Sequence, residues 1–207
     1  MDPKEHWEHI YQSRSPTAVS WYQSEARVSL DLIRRVAPDL ETPVMDVGGG
    51  ASTLVDGLLE AGFRDVTVLD LAGSALTLAR ARLGSRAGHV HWLEADVLEA
   101  KVPAAKFGVW HDRAVFHFLT RREDRTRYVA QVRHAVASGG HVIVASFSVD
   151  GPTRCSGLDV VRYSAESMHA EFGRGFQLLE SVPEEHHTPN GSVQAFVYCL
   201  CRVTGEP

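Results

Sequence analysis

Three features of this sequence predict a doubly wound α/β fold. The predicted sheet has seven mostly parallel strands, a C-terminal antiparallel hairpin and helices on both faces. First, a short apolar run ends in the glycines Gly48, Gly49 and Gly50 and is followed by a helical pattern. Second, strand-like and helical segments alternate up to residue 147, which is typical of a parallel sheet. Third, a polar loop around Asn190 and Gly191 separates the last two apolar runs, so these can pair as a hairpin.

The strands are predicted from short apolar runs rich in β-branched residues and bounded by turn residues. They cover residues 44–47, 66–70, 90–93, 107–111, 141–147, 176–182 and 194–203. Helices are predicted where apolar residues recur every three or four positions, at 6–11, 28–36, 52–61, 73–83, 121–137 and 164–172. Pro38, Gly62 and Gly84 end three of these helices, and Ser164 begins the last one as an N-cap.

The composition indicates one globular domain. The 207 residues are 44% hydrophobic and 23% charged, which is enough for a sizeable core. The sequence has neither an apolar run of membrane-spanning length nor a signal-peptide pattern, so a soluble cytoplasmic protein without a membrane partner is expected. The three cysteines, Cys155, Cys199 and Cys201, are too few for a disulfide framework.

The charge distribution argues against a nucleic-acid partner. The formal net charge is −5, whereas nucleic-acid binding needs lysines and arginines that face phosphates. Arginines do gather between residues 121 and 133, but Glu123 and Asp124 interrupt them. This segment is therefore interpreted as a solvated helix face.

The glycine turn suits a nucleotide-like ligand, because glycine lets the backbone turn sharply and lets a ligand come close. A dinucleotide fingerprint requires a third glycine where Thr53 stands, so a nicotinamide cofactor is disfavoured. Asp70, at the end of the second strand, can accept hydrogen bonds from ribose hydroxyls. Asp46, directly before the turn, suits a ligand that carries an ammonium group.

These residues resemble the motifs of the class I S-adenosylmethionine-dependent methyltransferases. Asp46-Val47-Gly48-Gly49-Gly50 is similar to that family's motif I, D/E-x-G-x-G, and Asp70 matches its acid at the end of strand 2. Glu94-Ala95-Asp96-Val97 resembles the segment after strand 3, in which an aspartate accepts from the adenine amino group. The resemblance extends from about Trp7 to the C-terminus and implies S-adenosyl-L-methionine as the cofactor.

The resemblance also implies how a single methyltransferase domain, residues 1–207, is divided. Residues 1–25 would form an aromatic lid segment, residues 43–150 the cofactor-binding core, and residues 151–207 the substrate-side loops and hairpin. The residues expected to bind the cofactor are Trp7, Tyr11, Trp21, Asp46, Gly48, Gly50, Asp70, Leu71, Asp96, Val97 and Asp112. The N-terminal aromatics could instead only cover the sheet edge, but small methyltransferases of this class with a similar W-x-x-x-Y helix favour the lid.

The acceptor site is expected beyond strands 4 and 5 and in the loop between the last two strands. His117 is a candidate catalytic base, because its ordinary pKa lies near neutrality; alternatively, it only packs between Phe116 and Phe118. Cys155 and His187 are candidate substrate-binding residues. Their spacing forms no compact metal signature, so no metal is expected.

The segment after strand 4 bears on the choice of acceptor. One branch of protein-lysine methyltransferases has a similar segment, E-K-G-T-L-D, whose lysine position is Arg113 here and whose last acid is His117. Arg113 is therefore the second candidate catalytic residue, near the cofactor carboxylate or the floor of the site. Because the acid is lost, the sequence favours a small-molecule methyl acceptor, possibly a thiol or other soft nucleophile. A protein (lysine) methyltransferase and a non-catalytic cofactor-binding regulator are the alternatives.

Overall fold

The computed structural model describes residues 2–205 and confirms the doubly wound α/β fold. Its helices in this range are α1 (Pro3–Ser13), α2 (Arg27–Val36), α3 (Leu54–Glu60), α4 (Gly73–Leu83), α5 (Arg122–Ala135) and α6 (Ala165–Phe172). Its strands are β1 (Val44–Val47), β2 (Val66–Asp70), β3 (Val90–Glu94), β4 (Phe107–Arg113), β5 (Val136–Phe147), β6 (Arg154–Cys155), β7 (Leu158–Asp159), β8 (Phe176–His187) and β9 (Val193–Val203). The expected domain bounds at residues 1 and 207 lie outside the described residues.

The main sheet has seven strands in the order β3-β2-β1-β4-β5-β9-β8. Neighbours from β3 to β5 pair in parallel, and β9 runs antiparallel between β5 and β8. The strand order reverses between β1 and β4, and ligands of such sheets bind beyond the carboxyl ends of the strands at that point. Val47 of β1 pairs with Asp112 of β4, so the glycine turn and the segment after β4 lie side by side.

Apolar side chains fill both faces of the sheet. On one face, α2, α3 and α4 pack through residues such as Ile33, Leu58 and Leu76. On the other face, α5 and α6 contribute Tyr128 and Phe172. Because helices cover both faces, the central strands β1 and β2 are buried along their whole length.

The C-terminal hairpin is longer than the sequence predicts. β8 continues to His187, so Glu184 and Glu185, which were expected in a loop, lie on a strand paired with β9. Polar residues are compatible with this strand because β8 is a sheet edge and alternate residues face water. The placement of His187 in the last loop was therefore wrong.

Two other segments differ from the prediction. β5 begins directly after α5, at Val136, because this residue pairs with Phe107 before an irregularity in the ladder. The short strands β6 and β7, which hold Cys155, form a separate two-stranded ribbon. Across residues 2–205, no helix combines the length and the apolar character that a membrane crossing requires.

Candidate active site

The glycine turn needs glycine because neighbouring atoms leave no room for a side chain. Gly48 has a φ of 65°, and a Cβ there would lie 2.1 Å from a methyl carbon of Val115. A Cβ on Gly49 would lie 2.3 Å from an oxygen of Asp46, and one on Gly50 would lie 2.4 Å from an oxygen of Asp70. The turn thus brings the backbone against both acids that the sequence singles out.

A pocket lies between this turn, the end of β4 and the N-terminal segment. Four of the predicted cofactor residues line it, namely Tyr11, Trp21, Asp46 and Gly48. Asp46 is buried, its Oδ1 is bonded to the imidazole of His111 at 2.8 Å, and its Oδ2 has no hydrogen-bond partner in the described chain. A buried carboxylate oxygen without a partner is costly, so this atom fits the ammonium group of an amino-acid ligand.

Asp70, the last residue of β2, lies beside the same turn. Its Oδ1 accepts a hydrogen bond of 2.8 Å from the backbone of Ala72, and its Oδ2 is the oxygen nearest Gly50. Burial raises the pKa of Asp70 to about 7; the Ala72 N–H opposes this rise, and the charges of Asp46 and Glu8 add to it. Asp70 is therefore poised between its neutral and charged forms at neutral pH.

The remaining predicted cofactor residues differ in exposure. Leu71 directly follows β2. Asp96 lies after β3 and is exposed, whereas the next residue, Val97, is buried. Asp112, by contrast, is fully buried, and its oxygens accept hydrogen bonds from the Tyr128 hydroxyl at 2.6 Å and the Val115 N–H at 2.8 Å. Burial raises the pKa of Asp112 to about 6. Asp112 thus fixes the turn after β4, a role that the sequence did not suggest.

The N-terminal aromatics form one cluster with Phe118. Trp7 makes edge-to-face contacts with Trp21 and Phe118, with ring centroids 5.6 and 5.2 Å apart. Tyr11 contacts Trp21 in the same way at 6.2 Å. Tyr11 and Trp21 also line the pocket, so the cluster borders it on the N-terminal side.

Arg113 lines the pocket from β4 and is held by an ion pair. One guanidinium nitrogen lies 3.0 Å from Glu184 Oε2, and the two side chains are only 9% and 11% exposed. Arg113 Nε donates to the Tyr198 hydroxyl at 3.0 Å, and its guanidinium carbon lies 4.1 Å from the ring centroid of Phe196. Glu184 also accepts from Gln23 at 2.8 Å. The charge of Arg113 is therefore balanced within the chain.

His117 is enclosed by aromatic rings. Its ring centroid lies 4.4 Å from that of Phe118 and 4.8 Å from that of Phe147, and the side chain is fully buried. Neither ring nitrogen has a hydrogen-bond partner among residues 2–205. Burial, with a further contribution from the charge of Arg113, lowers the pKa of His117 to about 3. At neutral pH this imidazole is uncharged and a weak base.

The two candidate substrate residues lie in different surroundings. Cys155 is buried, and burial raises the pKa of its thiol to about 12, opposed by the charge of Arg113. His187 is exposed and lines a second cavity of about 400 Å³ with Tyr22 and Glu185. The charge of Arg113 thus acts on both His117 and Cys155, whereas His187 lines the second cavity. In the described range, no three His, Cys, Asp or Glu side chains are grouped to hold a metal ion.

The sequence did not point to five residues that shape the site, namely Glu8, Ser29, His111, Glu184 and Tyr198. A signal existed for two of them. Ser29 occupies a buried position on the apolar face of α2, and His111 directly follows the apolar residues Val109 and Trp110 of β4. A polar residue at a core position indicates a buried hydrogen-bond partner.

Comparisons with known proteins point to methyltransferases. A family model described as a methyltransferase domain matches residues 44–140. The eEF1A lysine and N-terminal methyltransferase of Mus musculus is 27% identical over 150 residues, which are 70% of this chain and 21% of that protein. The EEF1A lysine methyltransferase 2 of Homo sapiens is 22% identical over 216 residues, with 96% of this chain and 86% of that protein covered.

A solved structure shares the whole fold. The N-methyltransferase NodS from Bradyrhizobium japonicum, in complex with S-adenosyl-L-homocysteine, superposes with a TM-score of 0.73 at 16% identity. The match covers 97% of each chain. By contrast, this chain spans about a fifth of the length of the Mus musculus relative.

Proposed function

The chain belongs to the class I S-adenosylmethionine-dependent methyltransferases, and on that premise we propose that it transfers the methyl group of S-adenosylmethionine to a small-molecule acceptor. The observation that carries the proposal is the pocket at the glycine turn, in which Asp46 Oδ2 is buried without a partner. The ammonium group of S-adenosylmethionine would give this oxygen a hydrogen-bond donor and a positive charge.

The residues around the pocket fit this cofactor. The glycine turn lies directly against both acids, so Asp46 would receive the ammonium group and Asp70 would receive the ribose hydroxyls of one ligand bound at the turn. When bound, the cofactor supplies a methyl group on a sulfonium, which is open to in-line attack. Tyr11 and Trp21 would exclude water from this attack, because both line the pocket and pack against each other.

The acceptor side supports a nucleophile that needs little help from a base. His117 remains the candidate base, but an imidazole with a pKa of about 3 accepts protons weakly at neutral pH. A thiolate or a neutral amine can attack without losing a proton beforehand. Arg113 would help to position the acceptor from the floor of the pocket. These points support the soft nucleophile within the small-molecule proposal.

A protein amine is the second candidate acceptor. The two relatives above are named for lysine methylation, and this chain covers most of the Homo sapiens relative. Glu25 and Glu185 also line the second cavity, where a cationic side chain would find negative charge. Tyr22 and Gln23 line both cavities, so the two adjoin.

The division of the chain and its location are part of the same proposal. Residues 1–25 would act as the lid, residues 43–150 as the cofactor-binding core and residues 151–207 as the acceptor side. The three cysteines are free thiols and buried, which is consistent with a reducing, cytoplasmic compartment.

The proposal is tested by the release of S-adenosylhomocysteine in the presence of a panel of acceptors. The panel contains thiols, amines, carboxylates, arsenite and lysine-containing peptides, and Asp70→Ala serves as a control for non-enzymatic transfer. Turnover with a thiol or a small amine would support the proposal. Turnover confined to peptides would favour the protein acceptor, and a flat panel with intact cofactor binding would favour a regulator.

A further inference from the structure

A continuous chain of hydrogen bonds runs under the pocket. Arg113 Nε donates to the Tyr198 hydroxyl at 3.0 Å, and this hydroxyl lies 3.3 Å from Ser29 Oγ. Ser29 Oγ lies 2.8 Å from His111 Nε2, and His111 Nδ1 lies 2.8 Å from Asp46 Oδ1. Ser29, His111, Asp46 and Tyr198 are all buried.

The Asp46 end of this chain sets the direction of its last bond. A carboxylate can only accept hydrogen bonds, so His111 Nδ1 donates to Asp46 Oδ1. His111 Nε2 lies 2.8 Å from Ser29 Oγ, so the imidazole is held at both nitrogens. The Tyr198 hydroxyl lies 3.3 Å from both Ser29 Oγ and Glu184 Oε2, so it links the ion pair of Arg113 and Glu184 to Ser29.

The consequence falls on Asp46. His111 occupies Oδ1, and Oδ2 is left without a partner in the described chain. Oδ2 is also the oxygen nearest the glycine turn, since a Cβ on Gly49 would lie 2.3 Å from it. The carboxylate is therefore held through Oδ1, while Oδ2 stays without a partner beside Gly49, in the wall of the pocket that Asp46 lines.

We propose that His111 is a positioning residue of the cofactor site. With its Nδ1–H donated to Asp46 Oδ1 and its Nε2 held by Ser29, it orients Asp46 so that Oδ2 receives the ammonium group of the cofactor. This inference rests on the cofactor assignment of the proposed function and is independent of the acceptor.

Two substitutions separate the two nitrogens of His111. The amide nitrogen of asparagine is as many bonds from Cα as Nδ1 and can donate to Asp46. The amide oxygen and nitrogen of glutamine are as many bonds from Cα as Nε2 and can bond to Ser29. His111→Asn should therefore keep the bond to Asp46 and bind S-adenosylhomocysteine within about threefold of the wild type. His111→Gln keeps only the Ser29 side and should bind roughly tenfold or more weakly, as loss of a hydrogen bond to a charged group implies.

Two controls separate positioning from general damage. 5′-Methylthioadenosine lacks the ammonium group, so its affinity should be the same in both variants. His134, whose Nε2 contacts the Val102 carbonyl at 3.1 Å, lies outside the pocket, and His134→Asn and His134→Gln should leave S-adenosylhomocysteine binding unchanged. Thermal unfolding of each variant reports folding.

The outcomes are distinct. Equal losses in His111→Asn and His111→Gln, or a loss that extends to 5′-methylthioadenosine, would overturn the inference while the proposed function stands. A wild-type protein that binds no S-adenosylhomocysteine would overturn both. If the variants fail to fold, nitrogen NMR of the wild type decides the matter, because the inference requires the His111 proton on Nδ1 and is refuted by a proton on Nε2 alone.

Discussion

Glu8 on α1 accepts a hydrogen bond of 2.7 Å from the backbone nitrogen of Gly73, the first residue of α4. The same carboxylate accepts from Ser74, and hydrogen bonds from Ser74 and Gly73 hold the pKa of Glu8 below its usual value. A helix N-terminus has free N–H groups and a partial positive charge, so it stabilises this anion. The contact attaches α1 to the start of α4. Asp70 lies three residues before Gly73 in the sequence, so α1 is held close to Asp70.

Removing this contact should loosen the attachment of α1 to α4. We expect Glu8→Ala to weaken S-adenosylhomocysteine binding several-fold, equivalent to about 1 kcal/mol, because a cap and a charge at a helix end are lost. Glu5→Ala, on the same helix but exposed, is the matched control and should have no effect. Calorimetry measures both affinities. Equal affinities in the two variants would mean that the contact between Glu8 and α4 does not contribute to cofactor binding.

Asp70→Ala should weaken cofactor binding by about 2 kcal/mol or more, because hydrogen bonds to a charged group are lost. The affinity of the wild type should also fall as the pH drops below about 7, since the protonated carboxyl accepts fewer hydrogen bonds. Asp70→Asn lacks the titrating group and should show a flatter dependence. Calorimetric titrations between about pH 6 and about pH 8 test both expectations. The same slope in both proteins would assign the pH dependence to another group.

Asp70 should also affect stability in the absence of cofactor. Its folded-state pKa is raised, so between its ordinary value and about 7 the folded chain holds a proton that the unfolded chain has lost. The stability that Asp70 contributes is therefore present at low pH and is lost as the pH rises through this window. Urea unfolding of the wild type relative to Asp70→Asn should show this decline. A difference that stays constant with pH would contradict it.

The ion pair between Arg113 and Glu184 should be important for stability. Glu184→Gln leaves the buried cation without its counter-charge and should cost about 3 kcal/mol of unfolding free energy. Glu180, also on β8, pairs with Arg35 on the surface, and Glu180→Gln should cost less than about 1 kcal/mol. Urea unfolding with a common m-value compares the two. Equal costs would show that burial does not distinguish these pairs.

His117→Asn should reduce turnover by less than about tenfold, whereas a well-matched general base contributes roughly 10²–10⁴-fold. The reason is the pKa of about 3, which leaves His117 a weak base at neutral pH. The measurement is the turnover number with an identified acceptor, together with its pH profile and the affinity for S-adenosylhomocysteine. A hundredfold loss of turnover with unchanged affinity and stability would establish His117 as the base.

The order of the elements and the cofactor motif could be read from the sequence because both depend on local chemistry. β2 and α4 have the bounds that were predicted, and α6 begins after Ser164 as its capping chemistry implies. The conformation of the glycine turn likewise depends on the absence of side chains within a few residues. Such features need no knowledge of what packs against them.

The roles of the polar side chains were decided only by the tertiary structure. His111, Asp112 and Arg113 are consecutive in β4, yet one bonds to Asp46, one fixes a turn and one pairs with Glu184. Successive side chains of a strand point to opposite faces, and each meets partners that are distant in the sequence.

His117 illustrates the same limit. Its residue type suggested a base with a pKa near neutrality, but the aromatic rings around it remove water and keep it uncharged. The sequence by itself therefore determined the fold class and the order of the elements, and it predicted where the cofactor would bind. The tertiary structure decided which carboxylates lack a partner, which cations are paired and which imidazoles stay uncharged. The reason is that burial and partners distant in the sequence set the free energy of each charged form.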